Sequence, residues 1–366
     1  MKRRASPLGR VFALLVVSLT VVGCGGGGGG PPQGPPAGST RTWSVGFSTL
    51  PPRPEVAAVV QGIDLWSQRA EIAAIHEELP WRDLLAGLSP DAILDRDKRQ
   101  LVDLLRGKGL KLYFMLELTD GLSRGEEAPQ LRALGRSITE PAVQQLFRDY
   151  ALAVERKFHP EFLGLVAETN LIRAAAPAPV YAAVVATANA AAADLRAAGR
   201  SGPLLFSVQV ETAWGVLSGT NTGYVGIERD FTDFPFADVL GLSSYPYFAY
   251  SRPEDLPSNY YQRVVNGHRL PVMVVEGGWS SASVGSITSS PDEQARYVTR
   301  HAQLLDSVQA VGLIQLQFAD LDLAAFPQPQ PPNLPLFAQL GLTAADFSPK
   351  PALAAWDALH ARRLVQ

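Results

Sequence analysis

From Thr42 onward, short apolar runs alternate with stretches whose apolar residues recur every three or four positions. The short runs fall at 43–52, 71–81, 110–121, 162–172, 203–215, 236–248, 271–281 and 313–322, and each reads as a strand. They are apolar almost throughout rather than alternating, which is the pattern of strands covered on both faces. Between them lie helical patterns. Residues 54–70 place Val56, Val60, Ile63 and Trp66 at helical spacing. Residues 89–109 start at Ser-Pro and stop at Gly, as helices do. Further helices are predicted over 140–157, 179–202, 256–265, 290–312 and 351–364, the one at 290 carrying Asp292 and Glu293 in its first turn. The connection between the fifth and sixth strands, "VLSGTNTGYVGIERDFTDFP", reads as loop. Eight strand–helix units predict an α/β fold, a single-domain (β/α)8 barrel of the TIM type, with an open doubly wound sheet as the alternative.

The first forty residues follow a different pattern. "MKRR" gives a basic start, and "VFALLVVSLTVVG" is an apolar stretch short for a bilayer span. It runs into Cys24, the only cysteine, with Gly23 before it and Val21 upstream. This resembles a bacterial lipoprotein cleavage box, so residues 1–24 are expected to be a signal peptide and Cys24 the lipidation site. Residues 25–40, "GGGGGGPPQGPPAGST", have the composition of a linker. The folded domain is expected over 41–366. The protein is then expected to be exported, lipid-anchored and facing the periplasm or cell exterior, touching the membrane only through its anchor.

With 366 residues, 46% of them hydrophobic, the chain can bury a large core. A net charge of −3 and the lack of a basic stripe give no reason to expect nucleic acid as a partner. The five histidines lack metal-ligand spacing, and no phosphate loop or nucleophile elbow is present, so no metal or cofactor is expected.

In such a barrel, chemistry sits at the carboxyl ends of the strands. The second strand ends with His76 and Glu77, the third with Glu117, and the fourth with Glu168 and Asn170. The fifth gives Gln209, Glu211 and Trp214, the sixth Ser244, Tyr245 and Tyr247, the seventh Glu276 and Trp279, and the eighth Gln317 and Asp320. Carboxylates collect at the strand ends while the strand bodies hold almost no charge. Two carboxylates facing one gap with aromatic walls suit glycoside hydrolysis, where one acid protonates the leaving oxygen and the other attacks the anomeric carbon or activates water. Trp214, Tyr247 and Trp279 are candidates to stack on sugar rings. Glu211, in "VETAWG", is the rival acid to Glu276.

The segments "FLGLVAETN", "VLGLSSYPY", "VMVVEGGWSS" and "SPDEQARYV" resemble, in order and strand placement, those of clan A glycoside hydrolases, the retaining (β/α)8 enzymes, and are nearest in motif to endo-β-1,4-galactanases. The resemblance covers residues 162–318. It implies retaining hydrolysis of a β-linked oligo- or polysaccharide, with Glu276 as nucleophile, Glu168 as acid/base and Tyr245 orienting Glu276. The other strand-end residues Glu117, Asn170, Gln209, Glu211, Trp214, Trp279 and His76 are the candidate supporting or sugar-binding set. The chain departs from the group at Ala167, where the group has Asn, and at the eighth strand, where "QLQFADLD" stands in place of a tryptophan platform. The alternative is a surface barrel that binds a glycan without cutting it.

Overall fold

A computed structural model describes residues 39–217 and 223–365. The expected signal peptide, Cys24 and nearly all of the linker lie outside the described residues.

Eight parallel strands close into a barrel, which removes the open-sheet alternative. They are β1 (Ser44–Ser48), β2 (Ile72–Glu78), β3 (Lys111–Glu117), β4 (Phe162–Val166), β5 (Leu204–Gln209), β6 (Val239–Ser244), β7 (Val272–Gly277) and β8 (Ala310–Gln315). Each pairs with its neighbours in sequence, and β8 pairs with β1. Around the barrel lie α1 (Val56–Trp66), α2 (Arg99–Gly107), α3 (Pro141–Phe158), α4 (Ala178–Ala197), α5 (Glu228–Asp233), α6 (Tyr260–Val265), α7 (Pro291–Leu305) and α8 (Pro351–His360).

The apolar runs are explained by two cores. In β3, Leu112, Phe114 and Leu116 face the helices, while Tyr113 and Met115 fill the barrel interior. A strand buried on both faces needs apolar side chains at both parities. In β2 the same alternation sends His76 inward and Glu77 outward, where Tyr150 and Lys98 bind it.

Several expectations need correction. The single helix at 89–109 is two, Pro90–Asp97 and α2, parted at Lys98. The run at 203–215 is strand only to Gln209 and then turns into a short helix, Val210–Trp214, and the connection expected to be loop contains α5. In α1, Ile63 and Trp66 are buried as expected, but Val56 is 80% exposed, and Ala58 and Gly62 take the buried face instead. A Cβ added at Gly62 would lie 3.6 Å from the Phe347 ring, in ordinary contact with it.

Two irregularities position the site. Along β7, Val274 pairs with Leu242 but Glu276 pairs with Ser243, so one residue of β7 is extra. Met273 and Val275 face the interior, and the bulge turns Glu276 to the same side where strict alternation would send it to the helices. Along β4 the register slips likewise between Gly164 and Val166, just before Glu168. Glu168 itself takes a left-handed backbone conformation, with φ 49°, which is uncommon for a residue other than glycine and is associated with functional sites.

Candidate active site

At the carboxyl ends of the strands lies a cavity of about 430 Å³ lined by His76, Glu117, Arg124, Glu168, Tyr245, Glu276 and Gln317, among others. Its remaining wall is largely apolar: Leu50, Leu122, Leu316, Leu321, Leu334 and Phe337. Five of the sequence-predicted residues are therefore brought together: His76, Glu117, Glu168, Tyr245 and Glu276.

With Arg124, the three acids and His76 form one continuous chain of charge. The Arg124 Nε donates to Glu168 Oε2 at 2.8 Å, and its Nη1 donates to Glu117. His76 Nδ1 lies 3.5 Å from Glu117 Oε1 and 3.6 Å from Glu276 Oε2. The Ser243 hydroxyl donates to the other oxygen of Glu168 at 2.6 Å, and the Glu168 backbone N–H donates to Ser207 Oγ. Both oxygens of Glu168 are thus engaged. Glu276, among the described residues, accepts no hydrogen bond, and its one ion pair is with His76.

This difference in partners sets the electrostatics. Burial, and then the charge of Glu168, push the Glu276 carboxyl up to about 7, against the opposing pull of His76 and Arg124. Burial works to raise Glu117 as well, but Arg124 and His76 outweigh it and hold that carboxyl down at about 2. Burial works to lower His76, yet Glu117 and Glu276 leave its imidazole above the ordinary value. Burial and then the charges of Glu276 and Glu168 hold the Tyr245 phenol in its neutral form. Tyr245 accordingly feels both carboxylates, although no hydrogen bond joins it to Glu276 among the described residues.

The "EGGW" sequence has a local reason. A Cβ at position 277 would sit 2.4 Å from the Ser244 carbonyl oxygen, and one at 278 would meet the Gln315 amide at 2.8 Å. Glycine lets the chain leave β7 against its neighbours and holds Glu276 at the cavity.

Other predicted residues lie elsewhere, and these are corrections. Asn170 and Gln209 lock two strand ends together: Asn170 Nδ2 donates to the Gln209 carbonyl at 2.9 Å, and the Gln209 N–H donates to Asn170 Oδ1 at 2.8 Å. Asn170 therefore does not replace the missing Asn at 167. Glu211 is fully buried beside β6, bound by Tyr260, Ser244, Gln209 and the Tyr245 N–H. Trp214 stacks on Tyr260 with centroids 5.2 Å apart, and the Arg263 guanidinium covers its ring. Trp279 is 1% exposed, packs on Tyr297 and donates to Ser289. Tyr247 is buried and donates to the Leu336 carbonyl. None of these six lines the cavity. Large aromatics following barrel strands are equally suited to the packing between barrel and helices, and here that use won. Cys24 lies outside the described residues.

Sequence reasoning missed Arg124. It sits on a hairpin after β3, formed by strands Thr119–Asp120 and Ser123–Glu127. The Asp120 carboxylate accepts from the Leu122 and Ser123 N–H groups and shapes its turn. The Asp-Gly pair at 120–121 was the available signal of a turn, but nothing in "GLSRGEE" marks its arginine as buried. Ser207 and Ser243 were missed because small hydroxyls inside apolar strands give no pattern.

No protein-family model matches the chain, and no curated protein matches it by sequence. Solved structures do match. Against the exo-β-1,4-mannosidase Op5Man5 from Opitutaceae bacterium strain TAV5 the TM-score is 0.64 at 17% identity, over 90% of this chain and 62% of that one. Against GH5_18 from Bifidobacterium longum subsp. longum ATCC 55813 it is 0.63 at 15% identity, over 89% of this chain and 81% of that one. Against a Bacteroides uniformis β-glucuronidase it is 0.58 at 13% identity, over 86% of this chain and 34% of that one. The chain thus spans less than two thirds of the mannosidase and about a third of the glucuronidase. At these identities the likeness establishes the fold, which is the barrel on which these glycoside hydrolases are built.

Proposed function

We propose that this protein hydrolyses a β-linked glycan with retention, using Glu276 as nucleophile and Glu168 as acid/base. The observation that carries this is the shared cavity: the carboxyls ending β4 and β7 meet there. β7 carries a bulge immediately before Glu276, and β4 carries one between Gly164 and Val166, shortly before Glu168. Glu276 attacks the anomeric carbon as Glu168 delivers a proton to the departing oxygen, and Glu168 then takes a proton from the water that releases the sugar. Glu117 does not move protons in this scheme: held near 2, it balances Arg124 and His76. Tyr245, neutral between the two acids, supplies a hydroxyl donor to charge forming on either. The β-glycosidases among the structural neighbours support the reading at the level of fold. The motif likeness to galactanases makes β-galactans one substrate to include. Export and anchoring through Cys24 are part of the same proposal, and a Cys24→Ser variant that still partitions with membranes would remove the lipid.

One observation favours a second reading with the roles exchanged. Glu168 is held by a guanidinium and a hydroxyl, as a nucleophilic carboxylate would be, while Glu276 has free oxygens and sits near 7, as a proton donor would. Azide rescue separates the two. Azide attacks the substrate directly in a variant lacking the nucleophile and yields a glycosyl azide of inverted configuration. In a variant lacking the acid/base it attacks the glycosyl-enzyme and yields the retained one. The expected result is inversion with Glu276→Ala and retention with Glu168→Ala; the opposite pairing exchanges the roles. Binding of glycans with no cleavage by the unaltered chain would leave the non-catalytic surface barrel.

A further inference from the structure

Gln317 lies two residues beyond β8, is fully buried and lines the cavity. Neither its Nε2 nor its Oε1 has a partner among the described residues. The other buried glutamines are used differently. Gln209 binds Glu211 and the Thr212 N–H, Gln294 donates to the Trp279 and Gly341 carbonyls, and Gln315 donates to the Leu340 carbonyl. A buried primary amide with both ends unmade costs stability, and nothing in the fold gains from it. Gln317 lines the same cavity as Glu168 and Glu276.

The charge of that space restricts what the amide can be reserved for. Arg124 is the one Lys or Arg lining the cavity among the described residues, and Glu117 and Glu168 already occupy its guanidinium. His76 lies between Glu117 and Glu276. The second nitrogen of His76, Nε2, has no partner among the described residues. Three carboxyl groups still outnumber the two cationic groups, so an anionic sugar placed there would meet net repulsion, which burial magnifies.

Resting on the glycosidase reading above, we infer that the sugar taken by this cavity is uncharged and that Gln317 binds it, donating to one hydroxyl and accepting from a neighbouring one. The amide then supplies at the end of β8 a polar contact where the sequence lacks an aromatic platform. A glycuronide is disfavoured by the same excess of acids, although glucuronidases share the fold.

The test compares the full chain with Gln317→Leu on nitrophenyl β-D-mannoside, β-D-glucoside, β-D-galactoside and β-D-glucuronide, together with calorimetric binding of the same four compounds and a melting curve. At least one neutral glycoside should be processed at least about a hundredfold better than the glucuronide, since unpaired buried charge discriminates strongly. Gln317→Leu should weaken its binding about tenfold to a hundredfold, the worth of two neutral hydrogen bonds, mainly in KM. The melting temperature should hold or rise, because an unsatisfied amide has been removed. A lower melting temperature with unchanged KM would make Gln317 structural and overturn the inference, as would preference for the glucuronide. If nothing is cleaved but a neutral glycoside binds in a Gln317-dependent way, the hydrolase reading fails and this one stands. If no neutral glycoside binds, this one fails too.

Discussion

Glu211 and Glu276 are alike in most respects that sequence and electrostatics report. Each ends an apolar barrel strand, each is followed three residues later by a tryptophan, and burial pushes each carboxyl up to about 7. Their surroundings differ in what is left over. Glu211 accepts from the Tyr260 hydroxyl at 2.7 Å, the Tyr245 N–H at 3.1 Å, Ser244 Oγ at 3.3 Å and the Gln209 amide, and it touches no cavity. Glu276 accepts no hydrogen bond among the described residues and faces open space beside Glu168 and Tyr245. A raised pKa therefore measures burial in both, and what sets Glu276 apart from Glu211 is its unspent acceptors at a cavity. Perturbed carboxyls point to function less securely than their hydrogen-bond accounts do.

Activity should separate the pair most widely. Glu276→Gln is expected to lower kcat by at least about 10³-fold, as removal of a group taking part in bond making does. Glu211→Gln should cost no more than about tenfold, through the Tyr245 backbone it holds. Initial rates on whichever glycan the unaltered chain cleaves decide this. Comparable losses in both variants would make Glu211 part of the chemistry and erase the distinction.

Stability against pH should separate Glu211 from an ordinary carboxylate. Its carboxyl has an ordinary value of 4.5 and sits near 7 in the fold, so the folded state keeps a proton that the unfolded chain has released. Its contribution is full below about pH 4.5 and is lost as pH rises to about 7, amounting to about 3 kcal/mol. His301 works the other way. Burial depresses its imidazole to about 3, so its contribution is gained as pH rises to about 6.5. The difference between the unaltered chain and Glu211→Gln cancels His301 and Glu276. Urea melts should show the variant gaining on the unaltered chain by about 3 kcal/mol between pH 4.5 and 8. Parallel curves would show that Glu211 titrates normally.

The same contrast explains how much the sequence disclosed. The barrel was legible because eight two-faced apolar runs have few other uses, while the pairing of Glu168 with Glu276 came from the resemblance of their segments to clan A glycoside hydrolases, since Glu117 and Glu211 end such runs as well. What failed was direction. Whether a strand-end side chain points to the cavity or to the helices depends on a one-residue bulge, and neither Val275 nor Leu165 announces one. Arg124 reaches the site from a polar hairpin whose composition resembles a surface loop. Gln317 was visible as a strand-end residue, but its importance lies in partners it lacks, which only coordinates show.

The smallest expected effect tests the tryptophans. Trp214 has the composition of a sugar platform and the contacts of a wedge: its face lies on Tyr260, its other side carries the Arg263 guanidinium at 4.7 Å, and its indole N–H donates to the Tyr260 carbonyl at 3.1 Å. A ring covered in this way has no face to offer a sugar. Trp214→Phe keeps an aromatic ring there and removes the N–H, so KM should move by less than about twofold, while stability falls by about 1 kcal/mol for the lost hydrogen bond and packing. A platform would behave in reverse, with KM rising about tenfold at little cost in stability, because a stacking surface would be lost from the ligand and not from the fold. Measuring KM and the urea midpoint on one preparation decides between them, since wedge and platform predict opposite orderings of the two effects.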